Sequence, residues 1–350
     1  DQNRHRTPKR LFTARGGGAR LVLHEADAAR NEAIFVVDTI QNMTRTQQAK
    51  LSDFAVMYRT NAQSRLLEEA FLHAGMPYRL VGALRFYGRR EIKDMIAYLR
   101  LVQNMADEIS LMRVINVPAR GIGEKTIATL QALGQQSGKS MAEVLDDLGG
   151  YREKSAFYSQ LSARVATVLT DLGGMLIFWR SKRHEHNLPD LFEQVLVDLN
   201  YESYLRDGSE EGEERWENVL ELQRLAYEYQ GRDLSEFLEN LALVSDQDTV
   251  PEQADAPTLL TLHAAKGLEF PRVFIVGLDE GILPHSRSRD DPEEMAEERR
   301  LFYVGLTRAK DQIYLVRADR RSMYGSYDTS EASRFLEDIP AKLLQRSGTH

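Results

Sequence analysis

The sequence contains no cysteine, which excludes disulfide bonds and thiolate metal sites. It has no apolar run of transmembrane length, so we expect no association with a membrane. It also lacks a positive charge excess: the net charge is −8 and the pI is about 5.6. Any nucleic-acid site must therefore come from local basic patches. The phosphate-loop pattern G-x-x-x-x-G-K-[ST] is missing as well, so the chain has no motif of its own for holding ATP.

The remaining composition is that of a packed protein. Charged residues make up 28% of the 350 residues and the hydrophobic set 42%, which suits one large domain or two smaller ones. The chain starts at Asp1, without a methionine, in a basic polar run that includes Arg4, Arg6 and Lys9. We therefore expect it to be a piece of a longer protein.

The stretch from Thr258 to Lys310 has the clearest pattern. Two apolar runs, Thr258–Leu262 and Val273–Val276, predict buried strands. An acidic segment with Pro292 near its start predicts the N-terminus of a helix that ends near Arg308. Gln312–Val316 predicts another strand. This order of strand, polar turn, strand, helix and strand is typical of an α/β fold.

The composition changes twice along the chain. The first segment has predicted strands such as Phe54–Tyr58 and helices such as Gln63–His73. Helical spacing of apolar residues dominates from Glu91 to about Asp246, and the α/β pattern returns at Thr258. We therefore predict an α/β domain formed by residues 1–92 and 253–350, with an inserted all-helical domain at 93–252.

Polar residues that follow predicted strands are candidates for ligand contacts, because α/β sheets bind ligands at strand ends. Arg59 and Asn61 follow the strand at Phe54–Tyr58. Arg85 lies in a stretch that mixes basic and aromatic residues, which suits base stacking and phosphate contact. A solvated surface loop is the alternative in both places, and the spacing alone favours it for Arg59.

A glycine-rich turn lies inside the helical block. Gly121–Ile122–Gly123, with Arg120 and Lys125 beside it, could present backbone N–H groups and cations to a phosphate. An ordinary tight turn is the alternative. A second cluster, formed by four acidic residues, is interpreted as a charged helix face rather than as a metal site: Glu293, Glu294, Glu297 and Glu298.

Five segments, in order, resemble the UvrD/PcrA/Rep-like superfamily 1 DNA helicases. TLHAAKGLEFPRVFIVG and EERRLFYVGLTRAK resemble the fifth and sixth motifs of that family. YRTNAQSRLLEEAF, GALRFYGRREIKDMIAYLRL and NVPARGIGEKT resemble further family segments. The similarity covers nearly the whole chain, and it lies with the second motor domain (2A) and its inserted domain (2B).

The resemblance implies a RecA-like, P-loop NTPase-type parallel-sheet domain with an all-helical insertion. It implies the C-terminal half of an ATP-dependent 3′→5′ DNA helicase acting in repair or replication in the bacterial cytoplasm, near the nucleoid. ATP and Mg²⁺ would be bound mainly by an N-terminal motor domain that this chain lacks, so the chain alone should be inactive. Single-stranded DNA, single/double-strand junctions and repair proteins would be its partners.

The resemblance also implies roles for individual residues. Arg308 would be catalytic, approaching the γ-phosphate of ATP, and Glu269 would accept hydrogen bonds from the ribose. Lys266 and Gly267 would shape the turn beside the nucleotide. The residues implied in contact with a single strand are Arg59, Asn61, Arg85, His263 and Tyr324. Those implied in contact with duplex DNA are Arg120, Gly121, Ile122, Gly123, Lys125 and Thr126.

Three alternatives remain at this point. A chain without its motor partner could act as a stand-alone DNA-binding or regulatory module. A purely structural role for Arg308 is the second alternative. A cation at the C-terminus of a helix faces the negative end of the helix dipole. A helicase–nuclease subunit is the third alternative, but the sequence shows no acidic–lysine nuclease site.

Overall fold

The computed structural model describes residues 17–183, 187–247, 255–323 and 326–348. Its strands and longer helices are, in chain order, β1 (Leu21–Ala28), α1 (Ala29–Arg45), β2 (Phe54–Tyr58), α2 (Ser64–His73), β3 (Arg79–Val81), α3 (Arg90–Gln103), α4 (Glu108–Val114), α5 (Glu124–Ser137), α6 (Met141–Tyr151), α7 (Ala163–Lys182), α8 (Leu188–Asp198), α9 (Tyr201–Leu205), α10 (Glu210–Glu228), α11 (Leu234–Gln247), β4 (Thr258–Thr261), β5 (Phe270–Ile275), α12 (Pro292–Leu306), β6 (Ala309–Met323), β7 (Ser326–Thr329) and β8 (Leu344–Gly348).

In the described part of the chain, eight strands form one sheet in the order β3-β4-β2-β5-β6-β1-β8, with β7 paired to β6. Neighbours along this order run parallel, and β7 is antiparallel to β6. The carboxyl ends of the parallel strands therefore lie along one edge of the sheet and their amino ends along the other. The predicted α/β, RecA-like parallel-sheet class is confirmed.

Strand β2 lies in the middle of the sheet and is buried over its whole length. Because side chains alternate along a strand, Met57 joins one core with Leu301 of α12, and Val56 joins another with Val37 of α1 and Phe71 of α2. Helices thus cover both faces of the sheet, as parallel sheets require. The strand predicted at these residues is confirmed.

Strand β6 is much longer than the prediction at Gln312–Val316. Its second half is charged, which hid it from a search for apolar runs. Arg317 reaches Asp279 and Glu25, each at 3.3 Å, so its charge is paired rather than solvated. The short strands β7 and β8 were also missed.

The chain divides into two compact units, Asp1–Phe86 with Asp246–His350, and Tyr87–Ser245. The second unit is helical over its described residues, which confirms the predicted all-helical insertion in the fold. Its junctions fall nearer the N-terminus than the predicted 92/93 and 252/253. At the first junction, Asn218 of α10 accepts a hydrogen bond from Arg89 and donates one to Glu91, each at 2.7 Å, and thereby ties the start of α3 to the helical unit.

Helix α3 forms the centre of the helical unit. Its Tyr98 ring packs edge-to-face on Trp179 of α7, with the ring centroids 5.8 Å apart. Helices α6 and α7 approach each other closely where Gly149 faces Gly173. A Cβ atom added at Gly173 would lie 2.3 Å from the carbonyl oxygen of Leu145, so the approach requires glycine.

Candidate nucleotide and nucleic-acid sites

A turn at residues 262–267 leaves the carboxyl end of β4 and leads to the amino end of β5. Backbone hydrogen bonds from Ala265 to Thr261 (3.2 Å) and from Leu268 to Ala265 (3.1 Å) fold it. Gly267 has φ +86° within it, a conformation that other residues rarely adopt. Lys266, Gly267 and Glu269 are exposed as a result.

Arg308 lies just past the C-terminus of α12 and is half-buried. Its Nε donates to the carbonyl oxygen of Val304 at 3.0 Å and its Nη1 to that of Leu268 at 3.3 Å. Its Nη2 donates to the hydroxyl of Thr307 at 2.9 Å. These bonds fix the guanidinium between the helix end and the turn. They use three of the five N–H groups of an arginine, so two can still donate to an anion.

Glu269 comes next to Arg308 because β5 and β6 are neighbours. Phe270, the residue after Glu269, is paired with Ala309, the residue after Arg308. Glu269 forms an ion pair with Lys310 at 3.6 Å, in which both side chains are exposed. Such exposed pairs are weak, so the carboxylate can exchange partners. The four residues assigned to the nucleotide thus cluster at the amino edge of β5 and β6.

Arg59 lies at the opposite, carboxyl edge, directly after β2. Its Nε is 2.9 and 3.1 Å from the two carboxylate oxygens of Glu298, and its Nη2 is 2.7 Å from Oε1. The side chain of Gln63 accepts the backbone N–H groups of Arg59 (2.9 Å) and Thr60 (3.0 Å) and so holds the loop. The Arg59 side chain is only 18% exposed, so it is not the freely solvated arginine of the surface-loop alternative.

The other strand-contact candidates lie along the same edge. Asn61 opens a short 3₁₀ turn after β2, and exposed His263 follows β4, which neighbours β2. Arg85 follows β3, the next strand out, and its guanidinium carbon lies 5.2 Å from the centre of the Tyr78 ring. Tyr324 lies outside the described residues. Four of the five candidates are thus placed at the ends of β3, β4 and β2, and their contact with DNA stays a prediction.

The loop at residues 117–126 lies in the helical unit, where Arg120 turns inward. Its Nη1 donates to the carbonyl oxygens of Val117 (2.9 Å) and Pro118 (3.2 Å). Its Nη2 donates to the Tyr98 hydroxyl at 2.8 Å. Burial raises the pKa of Tyr98 to about 12, against the charge of Arg120, so the hydroxyl stays protonated. This geometry differs from the expected phosphate contact and indicates that Arg120 braces the loop.

The exposed side of this loop is formed by other groups. Asn116 accepts the N–H groups of Arg120 (2.7 Å) and Ile122 (3.1 Å), and Ile122 is buried, so these N–H groups also face inward. Gly121 has φ +74°, and Nη2 of exposed Arg164 lies 3.3 Å from where its Cβ would be. After Gly121 in the chain, Gly123 and Lys125 at the start of α5 are exposed, and Thr126 is half-buried.

A buried ionic cluster fixes the segment that follows β5. Asp279 is fully buried and accepts from Nε of Arg321 at 2.9 Å. Arg321 also donates to Glu32 at 2.9 Å, and Glu32 accepts the N–H of Gly277. Burial raises the pKa of Glu32, and the positive charge of Arg321 opposes the shift. The cluster fixes Gly277, which lies against the side chain of Gln63 at the carboxyl edge of the sheet.

Over the described ranges, no helix has the length and apolarity needed to cross a bilayer. Those same ranges contain no group of three or more histidine or acidic side chains arranged to hold a metal ion.

The sequence profile of the UvrD-like helicase C-terminal domain matches residues 1–320. The chain belongs to this family. It is 39% identical over 354 residues to the ATP-dependent DNA helicase PcrA of Bacillus subtilis strain 168, covering 98% of this chain and 47% of that protein. It is 38% identical over 363 residues to the ATP-dependent DNA helicase UvrD1 of Mycobacterium tuberculosis strain H37Rv, covering 98% and 46%. The UvrD-like chain thus spans about half the length of these curated relatives, and the resemblance found in its sequence is confirmed.

Sequence reasoning missed three residues that shape these sites of the UvrD-like chain. Glu298 was interpreted as part of a charged helix face with no ligand, but its side chain is only 4% exposed and it forms an ion pair with Arg59. Asn116 gave no signal beyond being polar and close to the loop. Arg164 is remote in sequence from Gly121, and only the packing of α7 beside the loop brings it near.

Proposed function

We propose that this chain is the second half of the motor of an ATP-driven DNA helicase. Its first unit would be the family's 2A domain and its helical unit the 2B domain. One observation carries the proposal: Arg308 and Glu269 lie side by side at one edge of the sheet, while Arg59, Asn61 and His263 lie along the opposite edge. This arrangement would allow a nucleotide site and a strand site at opposite edges of one sheet. The relatives' names, ATP-dependent DNA helicases, support the same function.

In this proposal the nucleotide lies between the amino edge of β5 and β6 and an N-terminal motor domain. Arg308 suits a contact with the nucleotide's phosphates. Two carbonyl oxygens and a hydroxyl fix its guanidinium, and two N–H groups are left to donate to phosphate oxygens. An arginine fork stabilises charge on the phosphoryl oxygens in the transition state. Glu269 would bind the ribose hydroxyls. The N-terminal domain would supply the phosphate loop and the Mg²⁺ ligands, and Mg²⁺ would neutralise the β- and γ-phosphates.

The DNA would bind to both units. A single strand would follow the carboxyl edge, with Arg59 at a phosphate and Arg85 and His263 beside the bases or the backbone. Movement in the 3′→5′ direction is part of the proposal. The loop at residues 117–126 would hold duplex DNA by its backbone, through the exposed cations Lys125 and Arg164. Backbone contact positions DNA but does not read its sequence.

The test is the ATPase activity of the full-length protein that contains this chain, with Arg308→Ala, Arg308→Lys and Arg300→Ala. Arg300 is a matched control, since it lies on α12 and forms an exposed ion pair with Glu297. We expect Arg308→Ala to lower DNA-stimulated turnover by about 10³–10⁵ and Arg308→Lys to restore little. The Arg300→Ala protein should match the wild type.

The structural alternative for Arg308 makes a different prediction. If Arg308 only caps α12, lysine will restore activity, because an ammonium also donates to helix carbonyls. Retention of most DNA-stimulated turnover by Arg308→Ala would also contradict the assignment.

A further inference from the structure

The carboxylate of Glu298 joins three segments at the carboxyl edge of the sheet. It accepts hydrogen bonds from Nε of Arg59 at 2.9 Å and from Nη2 of Arg59 at 2.7 Å. It also accepts the backbone N–H of His285, in the segment after β5, at 2.9 Å. The side chain is 4% exposed. An ion pair removed from water to this extent breaks only when another anion replaces the carboxylate or another donor replaces the guanidinium.

Glu298 belongs to the helix that ends beside Arg308. Leu306, the last residue of α12, lies eight positions after Glu298, a rise of about 12 Å. Along this length Gly305 lies against the side chains of Leu262 and Ile275, where a Cβ would be 2.6 and 3.1 Å from them. The helix therefore packs directly on the sheet close to Arg308, and a rigid-body shift of α12 at Glu298 would displace that contact.

Arg59 has N–H groups left for a second anion. Glu298 occupies Nε and one N–H of Nη2, which leaves both N–H groups of Nη1 and one of Nη2. A phosphate of a bound strand would therefore share the guanidinium with the carboxylate and weaken the ion pair.

We propose that Glu298 is a positioning residue that couples strand contact to the nucleotide site: it competes with a strand phosphate for the guanidinium of Arg59, and α12 transmits the outcome to Arg308. This inference rests on the proposed function and adds to it the side-chain pair through which the two edges communicate.

A purely structural ion pair would behave differently when Glu298 is changed to glutamine. Glutamine keeps the size and can still accept the N–H of His285, but it removes the charge that offsets Arg59. Under the proposal the site gains one net positive charge, so single-strand binding tightens while DNA stimulation of ATP turnover falls. A structural brace that is lost would weaken binding and turnover together and lower the thermal unfolding midpoint.

The experiment uses the full-length protein with Glu298→Gln, Arg59→Ala and both changes together. Glu297→Gln is the matched control. The Glu297 carboxylate is exposed and lies on the same helix, and the substitution changes the protein's charge by the same amount as Glu298→Gln. Two quantities are measured: the Kd for an oligo(dT) strand without nucleotide, and the maximal ATP turnover with saturating strand. Thermal unfolding midpoints are recorded for every variant.

We expect Glu298→Gln to tighten the Kd by about two- to fivefold, the range for one contact between a strand phosphate and the guanidinium of Arg59, which is itself partly exposed. Its stimulated turnover should fall about 5- to 150-fold, the usual range of coupling between sites. Glu297→Gln should change neither quantity. In the Arg59→Ala background, Glu298→Gln should have no further effect on turnover, because it acts through Arg59.

Three results would overturn the inference: equal behaviour of Glu298→Gln and Glu297→Gln, a loss of binding together with a lower unfolding midpoint, or an undiminished effect in the Arg59→Ala background. A wild-type protein whose ATPase ignores the strand would instead refute the proposed function itself.

Discussion

The contact between α6 and α7 should fail when a single methyl group is added at Gly173. In Gly173→Ala the new Cβ would lie 2.3 Å from the carbonyl oxygen of Leu145 and 3.0 Å from Cα of Gly149. These are backbone atoms, so the helices must separate by about 1 Å to reach normal contact distance. Overpacking of this kind costs about 1–3 kcal/mol, and the better helix propensity of alanine returns about 0.5–1 kcal/mol. Since backbone atoms cannot rotate away from the new methyl group, the cost should lie in the upper half of that range, about 2–3 kcal/mol, which gives a net loss of about 1–2.5 kcal/mol.

The adjacent glycine supplies the control. A Cβ at Gly174 meets only Nη1 of Arg152, at 3.8 Å, so Gly174→Ala should gain about 0.5–1 kcal/mol from propensity alone. Both tryptophans, Trp179 and Trp216, lie in the helical unit. Urea unfolding followed by their fluorescence therefore reports this unit, and a shifted midpoint at constant slope reports stability. A midpoint for Gly173→Ala equal to or above that of the wild type would refute the close approach of α6 and α7.

Three further predictions follow from the structure. Lys125→Ala should reduce by about 1 the slope of log binding constant against log salt concentration for a tailed duplex, and should leave the slope for a bare single strand unchanged. A salt titration of binding to both substrates measures the two slopes, and equal changes in them would contradict the prediction. Burial raises the pKa of Glu280, but hydrogen bonds and charge from Arg334 outweigh burial and hold the pKa below its ordinary value. The ionised Glu280 carboxylate therefore stabilises the folded state at neutral pH, and this stabilisation is lost as pH falls through the lowered pKa. The difference between the thermal unfolding midpoints of wild type and Glu280→Gln should then disappear in acid. A difference that stays constant with pH would contradict this. Gly305→Ala should destabilise the α/β unit by about 0.5–2 kcal/mol and reduce ATP turnover by displacing Arg308; thermal unfolding and steady-state ATPase test it, and unchanged values would contradict it.

Local signals were sufficient to predict the helix that precedes Arg308, one of the residues proposed to contact the nucleotide. Pro292 and the acids around it predicted the start of α12, and Asp291 indeed caps that helix by accepting the N–H groups of Glu293 (2.8 Å) and Glu294 (3.2 Å). Arg308 follows its C-terminus as expected. Helix caps and apolar periodicity depend on residues within a few positions of each other, so a single sequence reveals them.

The hydrogen-bond and ion-pair partners of the candidate site residues could not be predicted in this way. Arg59 and Glu298 are 239 residues apart, and only the order of the strands brings them together. Arg120 shows a different limit: its partners are close in sequence, but the direction of its guanidinium depends on how the loop folds around Asn116. Residue type and spacing identified where charges lie, while tertiary packing decided whether those charges face a ligand or the protein.

The central claim, that this chain is one half of a DNA-dependent ATP motor, is tested most directly by measuring ATP hydrolysis with and without single-stranded DNA. The measurement compares the isolated chain with a full-length protein in which the chain is joined to the proposed N-terminal motor domain. We predict no turnover above background for the isolated chain, since it has no phosphate loop, and strand-stimulated turnover for the full-length protein. Turnover by the isolated chain that a point substitution within it abolishes, or a full-length ATPase indifferent to the strand, would contradict the account.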